Sequence, residues 1–108
     1  MKPVIRRRRA KQDVEEGASY YVAEAGDGVA ESFIAAVEHA LDHIAHYPAG
    51  GTLRYAHIVA LPGLRAWPLK HFPYLIFYID HDDRVDVWRV LRRHSPDIEA
   101  LPSDSGNS

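Results

Sequence analysis

Four residues able to do chemistry, Arg89, Arg92, Arg93 and His94, fall inside one short stretch, "WRVLRRHSPDI", residues 88–98. The reaction such a set could run without a metal is cleavage of RNA through its own 2′-hydroxyl. That reaction needs a base for the hydroxyl, cations around the scissile phosphate and an acid for the leaving oxygen. A guanidinium does not give up its proton in a protein, so it is not the base. His94 or His71 would take that role, with Arg93 beside the phosphate and Lys70 or Tyr74 supplied from a neighbouring strand. Two plainer uses compete. Arginines with Trp88 among them can grip the carboxylates of another protein, and charged strand ends are usually just hydrated.

The other reactive residue types form no site. His39, His43 and His46 lie on one helical run at spacings of four and three, but a zinc centre takes four ligands, or three and a water. Asp42 is turned away from His43 by helical phase, and no HExxH pattern is present. These read as surface histidines on an acidic helix, and no metal is expected. Ser19, Ser32 and Ser95 occupy no strand-to-helix elbow. There is no phosphate-binding or dinucleotide glycine pattern, so no cofactor is expected. The chain has no cysteine, which removes thiolate chemistry and disulfides.

The elements that must position these groups are legible in outline. "VIRRR", residues 4–8, is a short strand or an extended arm. In "AKQDVEEGASYYVAEAG", Val14, Ala18, Tyr21 and Val22 recur at helical spacing, with Asp13, Glu15 and Glu16 near the start, where negative charge suits the helix dipole. Gly17 costs this helix roughly 1 kcal/mol relative to alanine. "VAESFIAAVEHALDHIAHYP" puts Ala30, Phe33, Ile34, Val37, Leu41 and Ile44 on one stripe, and Pro48 with Gly50 and Gly51 ends it. The two helices form an antiparallel hairpin. "TLRYAHIVALPGLRAWPLK" reads as a loop and a short edge strand, because Pro62 and Pro68 have no N–H for a central ladder. "YLIFYI" (74–79) and "RVDVWRVL" (84–91) form a strand hairpin around the polar turn "DHDD". Alternation places Val85, Val87, Arg89 and Leu91 on one face and Asp86, Trp88 and Val90 on the other. The fold class is α+β: an N-terminal helical hairpin packed on a small antiparallel sheet. Residues 1–101 make one domain and residues 102–108 a flexible tail.

Charge is divided along the chain. Residues 13–53 hold eight acidic residues and no Lys or Arg, and all thirteen basic residues lie outside that span. A nucleic-acid binder usually carries net positive charge; with a net charge of −2 only one part of this protein can be positive, and direct sequence-specific DNA binding is not expected. The chain is instead dipolar, with one electropositive region. "MKPVIRRRRAK" lacks the apolar segment of a secretory leader, and no apolar run is long enough to cross a bilayer. Membrane association is not expected, and cytoplasmic residence is.

The order of these pieces resembles the RelE/ParE superfamily of toxins from type II toxin–antitoxin modules, the ParE branch most closely. The resemblance rests on "RRAKQDVEEGASYY", "AESFIAAVEHALDHIAHYPAGG", "LRAWPLKHFPYLIFYI" and "VDVWRVLRRHSPDIEAL", and runs from about Val4 to Leu101. It implies a bacterial toxin silenced by a ParD-like antitoxin, which wraps along helices and sheet in a hetero-oligomer. Tyr21, Phe33, Val37, Leu41, Arg65, Trp67 and Tyr74 are the implied antitoxin contacts.

Within the superfamily the RelE branch cleaves mRNA on the ribosome, whereas the ParE branch blocks DNA gyrase. Aligned on "YLIFY", Ala66 and Pro68 stand where catalytic lysines would be and Leu75 where an arginine would be. No tyrosine follows Pro96. Losing several positioned cations removes transition-state stabilisation. The favoured expectation is therefore a gyrase inhibitor acting by protein binding, with Trp88, Arg89, Arg92 and Arg93 on the target. The alternatives are a RelE-like, metal-independent, ribosome-dependent mRNA endoribonuclease using His94, His71 and Arg93, and a non-toxic remnant of the fold.

Overall fold

In the computed structural model, which describes residues 1–104, the chain begins with strand β1 (Val4–Arg6) and runs directly into helix α1 (Arg8–Ala25). Ala10, Asp13 and Gly17 are the buried positions of α1, with Val14, Ala18 and Tyr21 packed partly behind them. The buried stripe is thus rotated from the expected one, and Val22 is exposed. Gly26, at φ 94, makes the reversal into helix α2 (Asp27–His46), a backbone region that glycine enters without cost.

Ala30, Phe33, Val37, Leu41 and Ile44 of α2 are buried as the period requires, joined by Ala40 and Ala45, while Ile34 is exposed. Gly17 is where the helices meet. A Cβ added there would lie 2.7 Å from Cζ of Phe33. The residue that weakens α1 as an isolated helix is the one that lets the Phe33 ring pass between the two.

Past α2, a short helix α3 (Arg54–Ile58) interrupts the stretch expected to be loop. Strands β2 (Leu64–Pro68), β3 (Tyr74–Asp80) and β4 (Val85–Arg92) follow, and the sheet order is β1-β4-β3-β2. β2, β3 and β4 are antiparallel neighbours, but β1 lies parallel to β4, with Val4 opposite Val85 and Arg6 opposite Val87. The sheet is therefore mixed rather than purely antiparallel. No hairpin joins β1 to β4, so no local turn dictates their direction. Pro68 closes an edge strand, as expected, and Thr52 bridges Ala66 along that edge.

Both faces of the sheet are covered, which explains the unbroken apolar run of β3. Ile76, Tyr78, Val85, Val87 and Val90 meet the helices. Leu64, Ala66, Leu75, Phe77 and Leu91 meet α3 together with Ile98 and Leu101.

A bulge breaks the expected alternation of β4. Phe77 pairs with Arg89 while Tyr78 pairs with Val87, leaving Trp88 as the extra residue. A bulge shifts the facing of everything beyond it. Val90 thus joins Val85 and Val87 on the helix side, and Leu91 turns to the other core.

The C-terminal segment is also more ordered than expected. Single 3₁₀ turns span Pro96–Ile98 and Leu101–Asp104. Asp104 is only 7% exposed, so the ordered domain continues past Leu101 and the start of the expected flexible tail is folded. Residues 105–108 of that tail lie outside the described residues.

Gly17→Ala separates two effects of opposite sign. Helix propensity alone gives a gain of about 1 kcal/mol, and overpacking against a fully buried ring gives a loss of about 1–3 kcal/mol. The expected outcome is a net loss of stability in urea titration. A raised midpoint would show that the Phe33 ring moves aside freely.

Candidate partner-binding cleft

β1 is too short to accompany β4 to its end. Past Val87 the outer edge of β4 has no strand beside it among the described residues, and an unpaired edge N–H buried under a helix is costly. Asp13 of α1 fills that gap. Its Oδ2 accepts the Val90 N–H at 2.9 Å and the Arg89 Nε–H at 2.7 Å, and its Oδ1 accepts from Arg89 Nη2 at 2.9 Å. Arg89 Nη1 donates to Asp104 Oδ2 at 3.0 Å, and Asp97 Oδ2 stands 3.8 Å from Nη2. Hydrogen bonding by Asp13 raises the Arg89 pKa above its ordinary value despite burial, so the group stays charged.

A second ion pair backs the first. Arg7 grips Asp86 with two bonds, from Nε at 3.0 Å and from Nη2 at 2.9 Å. It lies over the Trp88 ring at 4.0 Å from the centroid and donates from Nη1 to the Asp104 backbone oxygen at 2.9 Å. Trp88 Nε1 donates to Asp86 Oδ2 at 3.1 Å. Burial pushes the Asp86 carboxyl up, but the Arg7 bonds and charge, with Trp88, outweigh it and hold the group below the ordinary carboxylate value.

Above this buried layer, α1 and the end of β4 part to leave an open cleft of about 710 Å³. Glu16 and Tyr20 of α1 line one wall, His94 with Asp97 the C-terminal wall, and Tyr74 with the exposed Arg92 complete the lining. The Arg92 guanidinium lies 5.4 Å from the Tyr20 ring centroid and 5.5 Å from that of Tyr74, within range of cation–π attraction. Burial raises the Tyr74 pKa, so its hydroxyl is neutral at physiological pH. Chemically the cleft offers a fixed cation between two aromatic rings, with Arg93 and His94 exposed beside it.

The sequence-derived site residues divide sharply against this geometry. Arg92, Arg93 and His94 converge on the cleft, whereas His71, exposed with φ 70, does not line it. Arg89 and Trp88 are 3% and 4% exposed, so neither presents a surface to a target. Among the implied antitoxin contacts, Phe33, Val37, Leu41 and Tyr74 are buried in the core, because the apolar stripe of α2 is covered by the chain's own sheet.

Tyr21 is half-buried among Phe33 and Phe72, its centroid 5.3 and 5.1 Å from theirs. Arg65 donates to the backbone oxygens of Ala49 and Gly51 at 3.0 and 2.8 Å and so braces the turn after α2. Trp67 is half-buried and stacks on His43 at 4.3 Å. Among the described residues no three His, Asp or Glu side chains converge on a metal-binding arrangement.

Sequence reasoning missed Asp13, Asp104 and Tyr20. Asp13 is not a dipole partner at the helix start, because the first turn of α1 holds no acid. Its signal was its position on the buried side, three residues after Ala10 and four before Gly17.

The sequence matches the family described as "ParE toxin of type II toxin-antitoxin system, parDE" over residues 4–95. A solved structure, "Chromosomal ParDE TA system from P. aeruginosa", is similar in fold, with a TM-score of 0.72 at 17% identity over 85% of this chain and 96% of that one. No curated protein matches the sequence.

Two stability outcomes follow from the buried pairs. Asp13→Ala leaves the Nε–H and Nη2–H of a buried guanidinium and the Val90 N–H without their acceptor and is expected to cost about 3–5 kcal/mol in urea titration; a loss under 1 kcal/mol would mean water replaces the carboxylate. Because the folded Asp86 carboxyl lies below its unfolded value, its contribution is complete above about pH 4 and is lost as pH falls through the folded value. Asp86→Asn should therefore flatten the acid limb of the stability curve, as midpoints measured across that range will show.

Proposed function

The chain belongs to the ParE toxin family of type II toxin–antitoxin systems, and from that premise we propose that it works by holding a partner protein. The proposed target is DNA gyrase, inhibited by binding, and the proposed neutraliser is a ParD-like antitoxin in a cytoplasmic hetero-oligomer. The observation that carries this reading is the exposed set Arg92, Arg93 and His94 at the mouth of an aromatic-lined cleft. Arg and Tyr are the residue types that dominate protein interfaces energetically, and exposed rim cations steer encounter with an acidic partner. For the antitoxin, the accessible parts of Tyr21 and Trp67 supply the contacts that the buried members of the expected set do not.

A second reading stays in view because His94 and Arg93 line the same cleft as Tyr74 and Arg92: metal-independent RNA cleavage, with His94 as base. The carboxylates of Glu16 and Asp97, which also line the cleft, repel a phosphate there, whereas a peptide can pair with them through its N–H groups. Protein binding is preferred on that ground.

A supercoiling assay with purified gyrase, run beside a translation-coupled mRNA cleavage assay on the same preparation, decides between them. The expected result is inhibition of supercoiling with intact transcripts. In the double variant Arg92→Glu/Arg93→Glu the concentration for half-inhibition should rise at least about tenfold with no change in thermal midpoint beyond that of an exposed substitution. Broken transcripts and unaffected supercoiling would transfer the function to the nuclease reading.

A further inference from the structure

Arg89 is one cation facing three carboxylates from three stretches of chain: Asp13 of α1 at 2.7 Å, Asp104 of the last turn at 3.0 Å and Asp97 at 3.8 Å. Asp13 already meets Arg89 with two bonds, so Asp104 is not needed to neutralise it. What Asp104 adds is a tie. The chain from Pro96 to Asp104 crosses the sheet face opposite the helices, anchored there by Ile98 and Leu101 on Leu75, Phe77 and Leu91. Two apolar anchors hold a terminal segment weakly, and chain ends fray unless fastened. The fastening is the Asp104 side chain on Arg89, together with its backbone oxygen on Arg7 Nη1 at 2.9 Å.

We infer that Asp104 is a positioning residue for the cleft: by latching the C-terminal turn to Arg89 it holds in place the His94–Asp97 wall that a partner must meet. The wall and the latched segment are one run of backbone, with Ser95 capping the turn through the Asp97 N–H at 3.1 Å. Arg89 touches both sides of the cleft from beneath, since Asp13 and Asp97 each line it. The receptor stays built when the latch opens, because Asp13 and Asp86 keep Arg89 and Arg7 aimed. Opening therefore frees one wall of the cleft and leaves α1, α2 and the sheet in place. Desolvation and repulsion among three carboxylates make closure a near-balanced event, suited to a local opening below the global unfolding limit.

Hydrogen exchange on the intact chain tests the latch without any partner. In Asp104→Ala, amides of residues 94–104 should exchange at least about tenfold faster, while those of residues 33–44 in α2 keep their wild-type rates. Asp104→Asn, which retains an oxygen for Arg89 Nη1, should recover part of the protection. Leu101→Ala, which loosens an anchor and spares the ion cluster, should also open residues 94–104. Unchanged exchange of 94–104 in Asp104→Ala overturns the inference, as does an equal rise in 33–44, which would make Asp104 a general stabiliser.

The consequence for binding rests on the reading of the cleft as a partner seat. Affinity for purified gyrase, measured by titration calorimetry, should fall about tenfold in Asp104→Ala and recover partly in Asp104→Asn. A latch that opens with gyrase affinity unaltered would refute the cleft as the seat while sustaining the latch itself.

Discussion

The carboxylate of Asp13 does the work of a missing strand. β4 needs something polar along its outer edge once β1 has ended, and a single side chain from α1 supplies it by accepting the Val90 N–H. The same oxygen atoms clamp Arg89. One residue thereby fixes where α1 sits on the sheet, satisfies an edge that would otherwise be a liability and makes a buried guanidinium tolerable. Buried ion pairs often add little stability over apolar replacements. Their effect here is to dictate one placement of α1, since an apolar contact would allow the helix to slide.

The bulge at Trp88 is the backbone counterpart of that arrangement. With regular alternation, Arg89 and Leu91 would face the same side as Val85 and Val87, and the guanidinium would point among valines. The extra residue resets the strand, so that Val90 fills the helix-side core while Arg89 reaches Asp13 on one side and Asp104 on the other. Trp88 itself is enclosed by Arg7 and bonded to Asp86. Two cation–carboxylate pairs and one indole thus close the edge of the sheet from within.

That closure sorts the positive charge by role. Arg7 and Arg89 are consumed in the interior, while Arg92, Arg93 and His94, only a few residues further on, face the cleft. The distinction matters for any partner, because Arg89, already bonded to two carboxylates, offers little to a third, whereas Arg92 is exposed against the Tyr20 and Tyr74 rings. The acidic span 13–53 supplies Glu16 to the opposite side of the same cleft, so a partner meets both signs of charge there.

The amphipathic period of α2, the glycine reversal between the helices, the β3–β4 hairpin and the edge placement of Pro68 were all legible in the sequence, because each depends on residues near one another along the chain. So was the convergence of Arg92, Arg93 and His94, which are adjacent. The parallel docking of β1, the bulge at Trp88, the burial of Arg89 and the capture of Asp104 were not. The β1 docking and the two Arg89 contacts join segments separated by fifteen or more residues, the bulge depends on how β4 registers against β3, and nothing local distinguishes a buried arginine from an exposed one until its carboxylates arrive from elsewhere. Composition and spacing determined which elements form and which charges are available; only the tertiary structure decided which of those charges are spent inside, because burial is a property of what packs on top and not of the residue itself.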